Sequence, residues 1–222
     1  MYYDLMQISE LTNNSPLSEH LRPQDLNDLT LDEKIKSRFN KMIKEGNIKN
    51  MLFYGKAGTG KTSTARILAG ISGYDFSYFD MSLNRDIDFL RKNVVGSALR
   101  KSLYGDKRLL ILDEADAMCV ANQNSLKVTI EMVADRCSFI FITNSPEKII
   151  EPIKSRLNSI RFDQTPGNYD NLVSKHTKTV IDKISKLHPD VSPEQVDEIS
   201  NIVKLNYPDY RRIANEIDFN VF

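Results

Sequence analysis

Short apolar runs alternate along the chain with longer segments whose apolar residues recur at helical spacing. The runs are candidate strands, at residues 51–54, 75–80, 109–112, 139–142 and 159–162. The longer segments are candidate helices, at residues 31–44, 61–70, 87–103 and 124–134. Because short apolar strands separated by helices are typical of a parallel sheet covered on both faces, the pattern predicts a five-stranded α/β fold.

The pattern changes after Thr165-Pro166-Gly167, a sequence typical of a turn. Three helical segments without a strand candidate follow, at residues 170–187, 193–205 and 209–219. The turn therefore predicts a domain boundary, with an α/β core over residues 21–165 and a small all-helical lid over residues 166–222. The polar first twenty residues, 1–20, are interpreted as a loosely ordered N-terminal arm.

Length and charge narrow the class of protein only moderately. With 222 residues the chain can form one α/β domain and a small satellite domain. Thirty basic and thirty acidic residues cancel, so contact with nucleic acid would depend on a local patch.

No apolar run approaches the roughly 20 residues of a membrane helix, and no basic-then-apolar leader opens the chain. We therefore expect a soluble, cytoplasmic protein with no membrane partner, and free thiols at Cys119 and Cys137.

A glycine-rich loop joins the first strand to the next helix. Its residues fit G-x-x-x-x-G-K-[ST] at every position, as Gly55-Lys56-Ala57-Gly58-Thr59-Gly60-Lys61-Thr62. The glycines let successive N–H groups point at an anion, and the start of the helix adds its positive dipole end. Lys61 would reach the β- and γ-phosphates, and the Thr62 hydroxyl would ligate Mg²⁺. The segment from Gly55 through Ser63 is therefore predicted to bind ATP with Mg²⁺.

Two carboxylates follow the third strand, at the edge where a parallel sheet presents its ligands. Asp113 can hold Mg²⁺ through water, and Glu114 can orient the water that attacks the γ-phosphate. A kinase acting on a small molecule has no need to activate water, so the second carboxylate argues against that class. Lys61 and Glu114 are accordingly predicted to be catalytic.

These motifs resemble the Walker A and Walker B motifs of AAA+ ATPases, the second in the form Asp113-Glu114-Ala115-Asp116. Other segments resemble the small ATPase subunits of sliding-clamp loaders, and they occur in the expected order. They are Leu21-Arg22-Pro23, Asp86-Ile87-Asp88-Phe89-Leu90-Arg91, Gln123-Asn124-Ser125-Leu126-Lys127, Ser155-Arg156-Leu157 and Tyr207-Pro208-Asp209-Tyr210-Arg211-Arg212. Leu21 replaces an aromatic residue of the family, and Leu157 replaces a cysteine. The pattern is most similar to the clamp-loader ATPase of T4-like bacteriophages and, more distantly, to replication factor C small subunits.

The resemblance implies roles for further residues. Asn144, after the fourth strand, would be the first sensor of the γ-phosphate, although a capping role is the alternative. Arg156 would be an arginine finger that completes the catalytic site of a neighbouring subunit, or else a surface arginine in an ion pair. Arg211 would be the second sensor in the lid, with Arg212 as the alternative.

The resemblance also implies partners. Arg91 and Lys127 match segments with which the family tracks the phosphates of primer-template DNA, although a solvated basic face is the alternative reading. Other clamp-loader subunits, in a hetero- or homo-oligomer that is a pentamer in the family, and the sliding clamp itself are expected. The family assembles through a helical collar domain after the lid, whereas this sequence stops at Phe222, so either a truncated chain or a different assembly is expected.

The predicted function is therefore ATP hydrolysis by a clamp-loader subunit in DNA replication. A nucleotide-switched AAA+ adaptor, such as a helicase loader or a replication initiator, is the alternative. In that class nucleotide binding matters more than turnover, and a DNA-binding module is normally appended.

Overall fold

The computed structural model describes residues 16–29, 31–83, 86–102, 107–162 and 169–222. All five predicted strands are present, as Met51–Tyr54 (β1), Asp75–Asp80 (β2), Arg108–Asp113 (β3), Cys137–Thr143 (β4) and Asn158–Arg161 (β5). They form one parallel sheet in the order β2-β3-β4-β1-β5, which confirms the predicted fold class. This order places the carboxyl ends of β1, β3 and β4 side by side, where α/β proteins bind their ligands.

Helices precede, connect and follow the strands. The α-helices of the described chain are Leu17–His20 (α1), Glu33–Lys44 (α2), Lys61–Ser72 (α3), Ile87–Phe89 (α4), Gly96–Leu99 (α5), Val120–Met132 (α6), Glu151–Lys154 (α7), Tyr169–Leu187 (α8), Pro193–Asn206 (α9) and Tyr210–Asn220 (α10). In the described ranges, none of them combines the length and the apolar character that a bilayer crossing demands.

The segment predicted as one helix over residues 87–103 differs from that prediction. A π-helical stretch, Leu90–Val95, separates α4 from α5. The helix ends at Leu99 because Arg100 is extended, with ψ at 145°. Leu103, where the prediction placed its end, lies outside the described ranges.

The apolar strands are buried on both faces, as the sequence pattern predicted. Leu110 and Leu112 of β3 face a cluster completed by helices α5 and α6 and the π-helical stretch. Leu109 and Ile111, which alternate with them in sequence, face the opposite cluster, which includes residues of α2 and α3. Because successive side chains of a strand point to opposite faces, a strand covered by helices on both sides is apolar throughout.

A third apolar cluster lies in the C-terminal helices. It joins residues of α8, α9 and α10 with Leu17 of α1, which is 6% exposed. The prediction of a loosely ordered arm was therefore wrong for Leu17–His20, because an apolar side chain there packs into the lid cluster. Residues 1–15 and the predicted boundary at residues 165–167 lie outside the described ranges, so the division into core and lid domains stays a prediction.

Candidate active site

The glycine-rich loop lies between β1 and α3. Its nine predicted binding residues form one continuous segment that reaches into the first turn of α3: Gly55, Lys56, Ala57, Gly58, Thr59, Gly60, Lys61, Thr62 and Ser63. Gly58 and Gly60 have φ angles of 78° and 86°, in the left-handed region that glycine adopts without a steric penalty. The loop therefore turns sharply and delivers the N-terminus of α3 to the carboxyl edge of the sheet.

Lys61 occupies the mouth of this loop. Its ammonium donates hydrogen bonds to the carbonyl oxygens of Gly55, at 2.8 Å, and Lys56, at 2.6 Å. A third bond, of 2.9 Å, goes to Oδ1 of Asn144. Because Tyr54 pairs with Thr143 in the parallel sheet, the residues that follow each strand emerge together, which brings the loop and Asn144 into contact. The structure thus brings together the predicted lysine and the predicted first sensor.

Asp113 is the centre of a second set of hydrogen bonds. Its Oδ2 accepts from the Thr62 hydroxyl at 2.8 Å and from the Tyr78 hydroxyl at 2.8 Å. The guanidinium carbon of Arg66 lies 4.7 Å from the centre of the Tyr78 ring, which fixes that ring from the side of α3. Burial and the Asp113 carboxylate both raise the pKa of Tyr78, so this hydroxyl remains a donor. The predicted metal residues, Thr62 and Asp113, are therefore in direct contact.

The donor set at Asp113 fits Mg²⁺, which prefers oxygen ligands and is usually held by one or two carboxylates together with substrate phosphates and water. Among the described residues, no group of three histidine, cysteine or acidic side chains is arranged to hold a metal by itself. Asp113 and Thr62 instead place a carboxylate and a hydroxyl side by side at the phosphate loop. Such a pair suits Mg²⁺, because the nucleotide phosphates and water supply its remaining ligands.

Glu114 has an unusual backbone conformation and an unusual electrostatic environment. Its φ angle is 51°, and it alone among the described non-glycine residues has a positive φ. Burial raises the pKa of its carboxyl group, and Asp113, Asp116 and Asp80 raise it further. Strained backbone and crowded carboxylates are concentrated at functional sites. The environment is that expected for a carboxylate that accepts a proton during a reaction.

The start of α10 rests on the phosphate loop. The Tyr210 amide donates a hydrogen bond of 2.9 Å to the Gly58 carbonyl. The Tyr210 ring packs 4.4 Å, centre to centre, from the ring of His176 in α8. Arg211, the predicted second sensor, follows directly in the first turn of α10, but its side chain is exposed to solvent. The structure therefore brings the predicted sensor helix to the loop without burying the sensor arginine there.

Arg156 has partners outside the phosphate loop. Its guanidinium forms an ion pair with Glu131 of α6, and its Nε lies 3.0 Å from Oε1 of that residue. It also donates to the Pro152 carbonyl. The side chains of Arg156 and Glu131 are 30% and 54% exposed, so the pair is accessible at the surface. Arg156 therefore lies at the surface of this chain. That position is required both of an arginine finger that enters a neighbouring subunit and of an arginine that only forms a surface ion pair.

The two predicted DNA-binding residues lie on adjacent segments. Arg91 is exposed on the π-helical stretch, and Lys127 is half-buried on α6. These two segments pack against one another. The geometry is compatible with a shared basic surface, and the neighbouring Arg85 of the sequence lies outside the described ranges.

Two features of the site are absent from the predictions. The hydrogen bond from Tyr78 to Asp113 was missed because a tyrosine in a short apolar strand is indistinguishable from a core residue. The contact of Asp209 and Tyr210 with the loop was missed because sequence spacing carries no signal for packing between distant segments. The occurrence of glycine at both Gly58 and Gly60 was the only available hint of a close approach.

The comparisons with known proteins agree with this geometry. The model of the family described as ATPase family associated with various cellular activities (AAA) matches residues 51–164. Replication factor C subunit 3 of Schizosaccharomyces pombe is 34% identical over 206 residues, which cover 90% of this chain and 58% of that protein. The replication factor C small subunit of Staphylothermus marinus is 36% identical over 164 residues, covering 71% and 49%. Replication factor C subunit 5 of Homo sapiens is 37% identical over 156 residues, covering 67% and 46%.

The chain spans about half the length of the curated relatives it matches. Among solved structures, a variant of RuvB from Thermotoga maritima superposes with a TM-score of 0.70 at 17% identity, over 90% of this chain and 64% of that one. At that identity the likeness concerns the fold alone. The family match covers the whole sheet, the phosphate loop and the acidic end of β3. The chain therefore belongs to the AAA family of ATPases, and its relatives include small subunits of replication factor C.

Proposed function

We propose that this chain binds and hydrolyses ATP as a subunit of a DNA polymerase sliding-clamp loader, acting in DNA replication. The observation that carries the proposal is the meeting of Lys61 with Asn144, and of Thr62 with Asp113, at one edge of the sheet. The names of the relatives support the clamp-loading part, since they are subunits of replication factor C.

The division of chemical roles follows from the contacts. The loop amides and Lys61 hold the phosphates as the Walker A motif, and Thr62 with Asp113 of the Walker B motif would hold Mg²⁺. When bound, the metal supplies charge neutralisation on the β- and γ-phosphate oxygens. Glu114 orients the attacking water and accepts its proton, which its raised pKa favours. Asn144 lies 2.9 Å from the Lys61 ammonium and orients the reacting end of the nucleotide.

Two arginines connect the site to its surroundings in this proposal. Arg156, held at the surface by Glu131, enters the site of a neighbouring subunit and stabilises the charge that develops on the transferred phosphoryl group. Arg211 follows the contact between Tyr210 and Gly58, so a rotation of α10 would bring its guanidinium to the γ-phosphate. Nucleotide state and lid angle would then be coupled.

The proposed partners are other clamp-loader subunits, in a ring that is pentameric in the family, together with the sliding clamp and primer-template DNA. Arg91 and Lys127 would contact the DNA backbone without reading its sequence. The protein would act in the cytoplasm, and in the host cytoplasm if the resemblance to T4-like bacteriophages reflects a phage origin.

The rate of ATP hydrolysis with primer-template DNA and clamp, for the chain alone and mixed with candidate partner subunits, tests this proposal. We expect DNA and clamp together to stimulate turnover in at least one mixture. Failure of every mixture to respond would contradict clamp loading. ATP binding without stimulated turnover would favour the nucleotide-switched adaptor instead.

A further inference from the structure

An open cavity of about 540 Å³ lies beside α2, and none of the residues assigned to the nucleotide site lines it. Most of its wall comes from α2, and Lys175 of α8 closes it from the lid side. The volume lies within the range of small-molecule sites, which are roughly 300–1,000 Å³. The cavity thus bridges the helix that covers the sheet and the first helix of the lid.

The cavity carries excess positive charge. Its lining includes four lysines, Lys36, Lys41, Lys44 and Lys175, against two glutamates, Glu33 and Glu45, which leaves an excess of two positive charges. Lys175 lies 3.8 Å from Glu33, and Lys41 lies 3.8 Å from Glu45. Each of these four side chains is at least 48% exposed, so the two pairs are weak and leave Lys175 able to bind a further anion. The cavity as a whole still has two lysines without an acidic counterpart.

Lys36 is the unusual member of this group. It is only 6% exposed, its ammonium interacts with the like-charged ammonium of Lys175, and no carboxylate of the described residues forms an ion pair with it. Burial lowers its pKa to about 8, helped by the Lys175 ammonium nearby, while Glu33 and Asp28 act in the opposite direction. Buried lysines are normally paired, because an unpaired charge away from water is costly. A bound anion would supply the missing partner.

We propose that the cavity binds a small phosphate-bearing anion, with Lys36 of α2 and Lys175 of α8 as its principal ligands. A phosphoryl group brings more than one negative charge and several acceptor oxygens, which matches two ammonium groups better than a single carboxylate does. The polar side chains of Ser37 and Asn40 line the same cavity and add donors. Because its ligands come from α2 and α8, the anion joins the lid to the core at a place separate from the phosphate loop.

Calorimetric titration with pyrophosphate tests this site, independently of the proposed function. The full chain carrying Lys61→Ala is used, so that the phosphate loop contributes little to anion binding. We expect measurable binding that Lys36→Met and Lys175→Met each weaken about tenfold, the loss typical of one charge-assisted hydrogen bond. Lys34→Met is the matched control, since Lys34 is an exposed lysine of α2 that does not line the cavity.

Thermal unfolding of each variant shows that it is folded, and Lys175 provides a second test at an exposed position should Lys36→Met be unstable. No binding of pyrophosphate, or an equal loss with Lys34→Met, would overturn the proposal. A parallel titration with short duplex DNA separates the two sources of phosphate. If Lys36→Met weakened duplex binding while pyrophosphate did not bind, the site would be one for nucleic-acid backbone and the small-anion proposal would fail.

Discussion

The Tyr210 amide, at the first residue of α10, donates a 2.9 Å hydrogen bond to the Gly58 carbonyl in the phosphate loop. Asp209, which caps α10, occupies the space beside Gly58 where any other residue would place its Cβ. The Tyr210 ring does the same at Gly60, where a Cβ would lie 2.9 Å from the ring. The start of α10 thus rests on loop backbone that glycine forms without strain, and α10 and the loop are in direct contact.

Gly58→Ala should weaken both folding and nucleotide binding. The new Cβ would lie 1.8 Å from Oδ1 of Asp209, at a φ of 78° that alanine rarely adopts. We expect a loss of more than about 1 kcal/mol in the free energy of unfolding, together with weaker ATP binding. Urea denaturation and titration with a fluorescent ATP analogue measure the two effects.

Gly70→Ala is the matched control for that change, because a Cβ at this position of α3 meets no described atom within 4 Å apart from its chain neighbours and the backbone of its own helix. It should leave ATP binding unchanged and stabilise the fold by roughly 0.5–1 kcal/mol, as alanine does inside a helix. Wild-type stability and affinity in Gly58→Ala would show that α10 does not rest on the loop in solution.

Tyr78→Phe should raise the Mg²⁺ concentration needed for ATP binding. The ring keeps its packing, but Asp113 loses one of the two hydroxyl donors that orient its Oδ2. A net hydrogen bond of about 1 kcal/mol corresponds to an increase of about fivefold. Titration of ATP binding with Mg²⁺ measures it.

Tyr74→Phe provides a comparison, since the Tyr74 hydroxyl bonds to the Gly46 carbonyl, at 2.7 Å, away from the site. That variant should need no more Mg²⁺ than the wild type. If Tyr78→Phe needed no more Mg²⁺ for ATP binding than Tyr74→Phe does, the hydroxyl of Tyr78 would have no part in positioning Asp113.

His176 should make the fold sensitive to acid. Burial, and then the charge of Lys183, lower its pKa to about 3, from an ordinary value near 6.5. The unfolded chain therefore binds a proton between those two pH values that the folded chain does not, and stability falls as the pH falls. At pH 5 this residue should cost about 2 kcal/mol relative to pH 7.

Urea denaturation at pH 7 and pH 5 measures that loss. His176→Phe, which keeps a ring between Tyr207 and Tyr210, should reduce the difference between the two pH values by about 2 kcal/mol. His188→Phe, at an exposed histidine directly after α8, should leave the difference largely unchanged. An equal pH dependence in His176→Phe and the wild type would refute the assignment.

Arg156→Ala should leave ATP binding by its own chain unchanged, because its partners are Glu131 and Pro152 rather than the phosphate loop. In an assembled ring, hydrolysis should fall by roughly 10³–10⁵-fold, the range for loss of an arginine finger. Arg38→Ala, at an exposed arginine of α2, controls for charge. Undiminished hydrolysis by a ring carrying Arg156→Ala would contradict the role of Arg156 as an arginine finger. Its function would then be limited to the ion pair with Glu131.

Local sequence patterns predicted the sheet and the phosphate loop well. Strand β2 occupies the predicted range, and the glycine-lysine-threonine end of the loop passes into α3 at Lys61 as expected. Both depend on residues near in sequence, namely the continuous apolar runs of strands buried on both faces and the backbone freedom of glycine. The contact between Lys61 and Asn144 was predictable as well, since neighbouring parallel strands bring their following residues together.

The remaining features depend on contacts between distant segments. The helical packing of Leu17 becomes favourable only when α10 is present, so a polar arm was the reasonable reading of residues 1–20. Tyr78 acquires its role from Asp113, which lies 35 residues away. The exposure of Arg211 is set by how α10 docks on Gly58, and sequence spacing does not specify that angle.

ATP turnover by Glu114→Gln, in the mixture of DNA, clamp and partner subunits that stimulates the wild type most, tests the proposed site most directly. The amide keeps the size of the side chain and removes its capacity to accept a proton. We predict ATP binding equal to that of the wild type and turnover reduced by roughly 10²–10⁴-fold, whereas Glu198→Gln, at an exposed glutamate of α9, should behave as the wild type does. Undiminished turnover by Glu114→Gln would contradict the assignment of Glu114 as the catalytic carboxylate.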